Sequence, residues 1–326
     1  MTEELLTGTV TRAVGGGLYE VDIVDDDDPS PRVCQIRGIL KKGRQTTTQP
    51  VVVGDSVRVR ALETTGTNVH GVYLREGFIE EVLPRRSTLS RGRIGKTSQV
   101  TLANLDQAVI VLSVREPDLN THRLDRFLVL AESNELKSLI CFNKIDLMKK
   151  RELKKEIAPI KELYEKLGYP VVLTAADEDI GIEEVQAHLK DHISAVLGSS
   201  GVGKSSLVNA VQPGLHLWVG DVMDIGKGRH TTTDVSLHPL DFGGYLADTP
   251  GVKTVVLFEQ QEINLDQCFP EFLPFVDDCK FSNCTHDHEP KCAVREARDA
   301  GKIHAARHES YIKMLRDIQS GVRLRD

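Results

Sequence analysis

Gly198, Gly203, Lys204 and Ser205 stand in the spacing G-x-x-x-x-G-K-[ST], directly after the apolar run Ile193-Ser-Ala-Val-Leu197. Strand, glycine-rich turn and helix start thus follow one another in the order a phosphate-binding loop requires. Glycine lets the backbone N–H groups of Gly198, Ser199, Ser200, Gly201, Val202 and Gly203 fold around a phosphate without side chains in the way. The helix start behind them adds orphan donors and partial positive charge. In that geometry Lys204 would reach the β- and γ-phosphates, the Ser205 hydroxyl would ligate Mg²⁺, and Ser206 would complete the binding segment. The competing reading is an ordinary glycine-rich turn, and the order of the three signals argues against it.

Two further tetrapeptides extend the chemistry. Asn143-Lys144-Ile145-Asp146 ends the apolar run Leu139-Ile-Cys-Phe142 as N-K-x-D. Asp146 could accept from both the ring N–H and the exocyclic amine of guanine, while Lys144 lies along the base and Asn143 holds the loop. Adenine would leave that carboxylate unpaired. The alternative for Asp146 is a helix N-cap. Thr174-Ala175 would bring a backbone N–H to the guanine carbonyl oxygen. Asp248-Thr-Pro-Gly251 reads as D-x-x-G, with Asp248 holding Mg²⁺ through water and the Gly251 N–H sensing the γ-phosphate. Upstream, in Gly228-Arg-His-Thr-Thr-Thr233, Thr232 is the first choice for a second Mg²⁺ ligand by analogy with T-T-x-D in related GTPases. Conventional enzymes carry a water-orienting glutamine directly after D-x-x-G, but here Val252 stands there. His230 is the nearest polar candidate for that task, its alternative being an RNA contact or a loop cap. The expected catalytic set is therefore His230, Lys204 and Thr232, working on GTP and GDP with Mg²⁺.

The elements that must position these groups read as an alternating β/α pattern. Gln107-Ala-Val-Ile-Val-Leu-Ser113 and Leu139–Phe142 are continuous apolar runs of the kind buried in a parallel sheet. Helices are expected from Leu124 to about Ser133, Lys149 to Leu167 and Ile182 to about His192, with a strand over Pro170–Ala176. This pattern predicts a doubly wound sheet with ligands at the strand C-termini. N-K-x-D and the Thr-Ala loop, however, precede the phosphate loop, whereas a conventional GTPase places them last. The order implies a circular permutation, with old termini joined near Lys190 to Ile193 and new ends opened between D-x-x-G and N-K-x-D.

Before this pattern lie five short β-type runs, Gly8–Arg12, Leu18–Val24, Arg32–Arg37, Val51–Arg60 and Gly77–Leu83. Five strands with glycine-rich joints suit an OB-fold barrel, either a nucleic-acid module or a purely structural one. Residues 1–83 are expected to form it, 84–106 a basic linker, 107–257 the permuted domain and 258–326 a C-terminal domain. Arg85, Arg86, Arg91, Arg93 and Lys96 crowd the linker, to meet phosphate backbone or to be solvated.

Cys279, Cys284, His286 and Cys292 supply three thiolates and an imidazole within a short polar stretch, the donor set of a closed tetrahedral zinc site. His288 competes with His286. After Cys292, one helix is expected from Ala293 to about Ile318, with Arg295, Arg298, Lys302, His304, Arg307 and His308 facing RNA or solvent. Cys34, Cys141 and Cys268 stand alone, which fits a reducing compartment rather than a disulfide framework.

The whole chain of 326 residues, 40% hydrophobic and 27% charged, has the composition of a soluble multidomain protein. No apolar run approaches the ~20 residues that span a bilayer, and the N-terminus lacks a secretory pattern, so an intracellular protein without a membrane partner is expected. An organellar protein numbered from its mature end, as in a plastid stroma, would look the same. The net charge of −7 argues against indiscriminate nucleic-acid binding. Asp25 to Asp28 reads as a solvated loop tip.

The chain resembles the circularly permuted small-ribosomal-subunit biogenesis GTPases, the RsgA (YjeQ) family. The resemblance covers nearly its whole length. It rests on Val114-Arg-Glu-Pro-Asp-Leu119, Asn143-Lys-Ile-Asp146, Gly201-Val-Gly-Lys-Ser-Ser-Leu207, Gly228-Arg-His-Thr-Thr-Thr233 and Asp248-Thr-Pro-Gly-Val252 in this order. Thr174-Ala175-Ala176 stands where Ser-Ala is more usual. The resemblance implies an OB-fold, a permuted GTPase and a zinc domain with His286 as ligand and one Zn²⁺ per chain. It also implies binding of the small ribosomal subunit and rRNA, ribosome-stimulated GTP hydrolysis in late subunit maturation, a cytoplasmic location and a monomer. The rival readings are an RNA-binding scaffold that holds GTP and scarcely turns over, and a metabolic P-loop kinase. N-K-x-D and D-x-x-G together weigh against the kinase.

Overall fold

The computed structural model describes residues 5–24, 30–37, 50–62, 75–93, 96–215, 235–248 and 264–320, with side chains described outside 90–99. At the N-terminal end, β1 (Leu6–Gly15), β2 (Leu18–Ile23), β3 (Arg32–Ile36), β4 (Ser56–Ala61) and β5 (Arg75–Val82) pair in the order β1-β2-β3-β5-β4. β4 then pairs back to β1 through Leu6↔Val59, which closes the barrel. Alternation decides which side chains face inward: Val10, Val21, Val57, Val59 and Ile79 are all fully buried in its core.

Residues 84–106, expected as a linker, carry a hairpin of β6 (Thr88–Arg93) and β7 (Lys96–Ala103). Its base is fastened to the barrel. The Ala103 N–H donates to Val53 O at 2.9 Å, and the Asn104 amide donates to Gly54 O at 2.8 Å. Arg85, expected among the solvated or RNA-facing cations, instead donates to both oxygens of fully buried Asp55 at 2.6 and 2.8 Å. Asp55 lies buried in the turn before β4, where its charge demands partners, and it takes Arg85 and the Val52 N–H at 2.8 Å.

The central sheet runs β10 (Val171–Leu173), β9 (Lys137–Asn143), β8 (Gln107–Ser113), β11 (Ile193–Leu197), β13 (Tyr245–Asp248) and β12 (Ser236–Pro239). All neighbours are parallel except β12 and β13. Every residue of β8 is buried, as a strand covered on both faces requires. β12 also touches β1 through Arg12↔Ser236, so barrel and central sheet form one 11-stranded sheet.

Helices flank both faces. α1 (Thr121–Glu132) is capped by the Asn120 side chain accepting from the Arg123 N–H at 2.9 Å. α2 (Lys150–Glu152) runs through a π-helical turn (Leu153–Ile157) into α3 (Ala158–Lys166), where one long helix was expected. Pro159 lacks the N–H that would continue the ladder, and the irregular turn precedes it. α4 (Ile182–Leu189) and α5 (Lys204–Val211) pack together on the other face with Val185, Leu189, Leu207 and Val208 buried.

The C-terminal region holds α6 (Leu273–Val276), α7 (Ala293–Asp299) and α8 (Ala305–Gln319) around Phe269, Phe272, Tyr311 and Met314. The single helix expected from Ala293 is broken, because Gly301 takes φ +73° between α7 and α8. Arg307 and His308, expected toward RNA or solvent, are 1% and 4% exposed. Among the described residues no helix is long and apolar enough to cross a membrane.

Candidate functional site

β11 ends at Leu197 and α5 begins at Lys204, so residues 198–203 form the turn at the sheet's C-terminal edge. Two glycines are dictated by geometry. Gly203 caps α5 with φ +90°, and a Cβ there would lie 2.3 Å from Asn143 Nδ2. A Cβ on Gly198 would lie 2.4 Å from Val111 O. Lys204 is 7% exposed and donates from Nζ to Ser199 O at 2.7 Å, folding its ammonium back over the turn. Ser205 and Ser206 are exposed on the first turn of α5. A loop of this shape, with backbone donors and an ammonium at a helix N-terminus, can hold a phosphate chain.

Asn143, the last residue of β9, ties three segments together. Its amide donates to Val202 O at 3.0 Å in the phosphate loop, and its carbonyl accepts from the Thr174 hydroxyl at 3.0 Å. Lys144 takes φ +62°, which turns Nζ back to donate to Gly201 O at 2.6 Å and to Glu116 O. Asp146 lies inside a one-turn 3₁₀ helix (Ile145–Leu147) whose N-cap is Lys144, and α2 has Lys149 at its N-cap, so Asp146 occupies neither N-cap position. Its carboxylate is exposed beside these loops, free to accept from a base. Thr174 is fully buried after β10. The Ala175 N–H, expected to face the guanine carbonyl, donates instead to Ile180 O at 3.1 Å. Ile180 forms an isolated bridge there and takes the donor. The next residue, Ala176, opens a 3₁₀ turn (Ala176–Glu178) whose first N–H groups have no acceptor within the turn.

Asp248 ends β13. The pair Ala195↔Ala247 places it level with Val196, so it flanks the start of the phosphate loop. Its Oδ2 lies 3.9 Å from His238 Nε2 on β12. His230, Thr232 and Gly251, with the rest of the Thr-rich segment, lie outside the described residues. Sequence reasoning missed the Glu116–Pro117 turn. Glu116 adopts φ +51° and offers its carbonyl to Lys144, while the Ser113 hydroxyl donates to Pro117 O at 2.6 Å. The only signal was that Val114–Leu119 belongs to the family resemblance, because a backbone carbonyl has no residue-type signature.

A second centre lies in the C-terminal region. Cys279, Cys284, His286 and Cys292 bring their ligand atoms within 4.8 Å of one another. His286 Nδ1 is 3.6 Å from Cys279 Sγ and 3.4 Å from Cys292 Sγ, and those two sulfurs are 3.9 Å apart. A tetrahedral zinc with the usual bond lengths needs edges of about 3.8 Å between sulfurs and about 3.6 Å from sulfur to nitrogen. The three edges among Cys279, His286 and Cys292 come close to these values, and Cys284 lies within 4.8 Å of the others, so the donor set suits the ion. His288, the competing ligand, is 82% exposed at its side chain and outside the cluster. Lone Cys34, Cys141 and Cys268 are buried, and burial pushes each thiol up to about 12, so they are inert core residues.

β11 lies at the switch point of the sheet: β8, β9 and β10 extend to one side and β13 and β12 to the other. Phosphate loop, N-K-x-D and Asp248, the first residue of D-x-x-G, stand at the carboxyl ends of these strands in permuted chain order, which defines a circularly permuted P-loop GTPase. Residues 82–258 match the model of the RsgA GTPase family. The chain is 37% identical over 320 residues to the small ribosomal subunit biogenesis GTPase RsgA of Caldanaerobacter subterraneus subsp. tengcongensis, covering 97% of each. It is 39% identical over 297 residues to the protein of that name from Thermotoga petrophila, covering 90% of this chain and 92% of the relative. Among solved structures, YjeQ from Thermotoga maritima superposes with a TM-score of 0.73 at 35% identity, over 97% of this chain and 99% of that one. YloQ, described as a circularly permuted GTPase, gives the same TM-score, 0.73, at 31% identity over 97% and 96%. The chain belongs to the RsgA GTPase family.

Proposed function

We propose that this GTPase acts in small-ribosomal-subunit biogenesis, binding GTP at the strand ends of the central sheet and hydrolysing it with Mg²⁺ when seated on the subunit. The observation that carries the reading is Asn143, which fastens the phosphate loop to the base loop with both ends of one amide. A guanine recognised by Asp146 and Lys144 and a phosphate chain held by residues 198–206 are thereby kept at a fixed separation. With nucleotide bound, Lys204 would turn from Ser199 O to the β- and γ-phosphates, and Ser205, Thr232 and Asp248 would hold the Mg²⁺ that neutralises the phosphate charge. Gly251 senses the γ-phosphate and His230 positions the attacking water. Thr174 supports Asn143, and the base-facing N–H comes from Ala176 rather than Ala175.

The relatives' name supports the ribosomal role, and the barrel and the metal-bearing C-terminal region supply the surfaces for rRNA. One Zn²⁺ on Cys279, Cys284, His286 and Cys292 holds the latter together. We assign a monomer in the cytoplasm. The reported relatives lend no support to a plastid stroma. GTP turnover measured with and without purified small subunits tests the proposal: subunit-dependent acceleration is expected, and equal rates in both would overturn it.

A further inference from the structure

Beside the Cys₃His cluster, a buried ring nitrogen without a partner lies close to a carboxylate. His286 presents Nδ1 to the sulfurs of Cys279 and Cys292, so Nδ1 is the ligating nitrogen. Metal at Nδ1 leaves the ring proton on Nε2. Nε2 is buried and has no hydrogen-bond partner, and the His286 side chain is only 2% exposed. Its closest carboxylate oxygen is Asp266 Oδ2 at 3.7 Å, and Oδ1 of the same carboxylate is likewise buried without a partner. Each such group left unpaired costs about 1–3 kcal/mol.

The ring has little freedom to find another acceptor. Phe272 meets it edge-on with centroids 6.1 Å apart, and Tyr311 lies at 6.0 Å. The backbone is held too, at φ +59° with its carbonyl opposite His308 Nε2 at 3.0 Å. Asp266 is equally fixed. It sits in a one-turn 3₁₀ helix (Leu265–Cys268) anchored by buried Leu265, Cys268 and Phe269. Closing the gap by about half an ångström brings Nε2 and Oδ2 within hydrogen-bond range and gives Nε2 its acceptor.

We propose that Asp266 is a positioning residue of this centre, accepting the Nε2–H of His286 and holding the ring so that Nδ1 points at the metal. The proposal rests on the reading that the cluster binds zinc. A carboxylate behind a ligating imidazole fixes its tautomer and raises its basicity, and losing one typically weakens metal binding about 10- to 100-fold.

The test uses the full-length chain with Asp266→Ala, Asp266→Asn and, as a control for general charge, the exposed Asp277→Ala. Zinc affinity is measured by competition with a chromophoric chelator, and the His286 Nε2–H is followed by proton–nitrogen NMR. Asp266→Ala should weaken zinc about 10- to 100-fold and turn a slowly exchanging, downfield Nε2–H into a fast-exchanging one. Asp277→Ala should do neither. Asp266→Asn keeps an acceptor oxygen without the charge and should fall between. Should Asp266→Ala not fold, Asp266→Asn decides. Stoichiometric zinc in the wild type with unchanged affinity and exchange in the variants overturns the positioning role and leaves the zinc reading standing. A wild type that binds no zinc overturns both.

Discussion

Asn143 is 2% exposed, and its amide is shared between Val202 O and the Thr174 hydroxyl, so the residue acts as a strut rather than as a base contact. On the proposed reading base selection falls to Asp146, which stands exposed nearby in sequence. Asp146→Asn should weaken GTP and favour xanthosine nucleotide, because xanthine offers an acceptor where guanine has a donor. Calorimetric titration of both nucleotides checks this, and a wild type that binds ATP as tightly as GTP would falsify the base assignment. At His230 the expectation is kinetic. His230→Ala should leave GTP affinity and subunit binding nearly intact while lowering stimulated hydrolysis by a factor on the order of 10². Full stimulated turnover in that variant would put the water in other hands, such as the backbone or a ribosomal group. These side chains could be named as candidates because phosphate and guanine chemistry demands particular residue types at fixed spacing. The Glu116 carbonyl on Lys144 was not, since any residue can supply a carbonyl.

At the scale of elements, the metal loop and the split C-terminal helix carry the main lesson. The loop between Cys279 and Cys292 has little regular structure and draws its order from side chains. Glu289, for example, accepts from the Thr285 N–H at 2.9 Å and from the Thr285 hydroxyl at 2.5 Å. Burial alone would raise the Glu289 carboxyl, yet these bonds outweigh it and hold it down to about 2. A loop so organised should depend on its metal. Cys284→Ala, or chelation of the wild type, should unfold the C-terminal region while sparing nucleotide binding. Elemental analysis together with thermal melts followed in that region checks this; a metal-free protein whose melt ignores chelator would remove the site. The four ligands were visible as a spacing. The break at Gly301 was not, because the helical pattern resumes within a few residues and only the backbone reversal separates α7 from α8.

For the molecule as a whole, Arg307 is the hub. It is 1% exposed and donates to Asp125 on α1 and, at 2.7 Å, to Glu271 of the C-terminal region, with its guanidinium 4.5 Å from the Phe269 ring centroid. Tyr164 on α3 donates to the same Asp125 at 2.7 Å. Burial alone would lower the Arg307 pKa, but Asp125 and Glu271 hold it above its ordinary value, so the charge is permanent. Removing one partner of a buried ion network strands the others. Arg307→Ala should therefore cost about 3–5 kcal/mol. Arg307→Met, which fills the space, strands the same carboxylates but keeps the packing and should cost less. Urea unfolding with probes in both regions checks this, and a variant as stable as wild type would show that the ions are solvated. On the opposite side, the Tyr245 hydroxyl donates to Asp22 at 2.6 Å and β12 touches β1, joining the barrel to the strand that carries Asp248.

The sequence by itself determined the GTPase class, the permuted motif order, the five barrel strands and the Cys₃His cluster. Each of these is written in residue types at short spacing or in local periodicity, which survive without knowledge of the fold. Tertiary structure alone decided the fate of the charges. Arg85 pairs with Asp55, and Arg307 with Asp125 and Glu271, across separations of 30 to 182 residues. Composition marks such residues as solvated or RNA-facing, since a charge usually belongs in water. Only when distant segments close over it does a low dielectric make a partner obligatory, and which partner stands there is a property of the packed molecule.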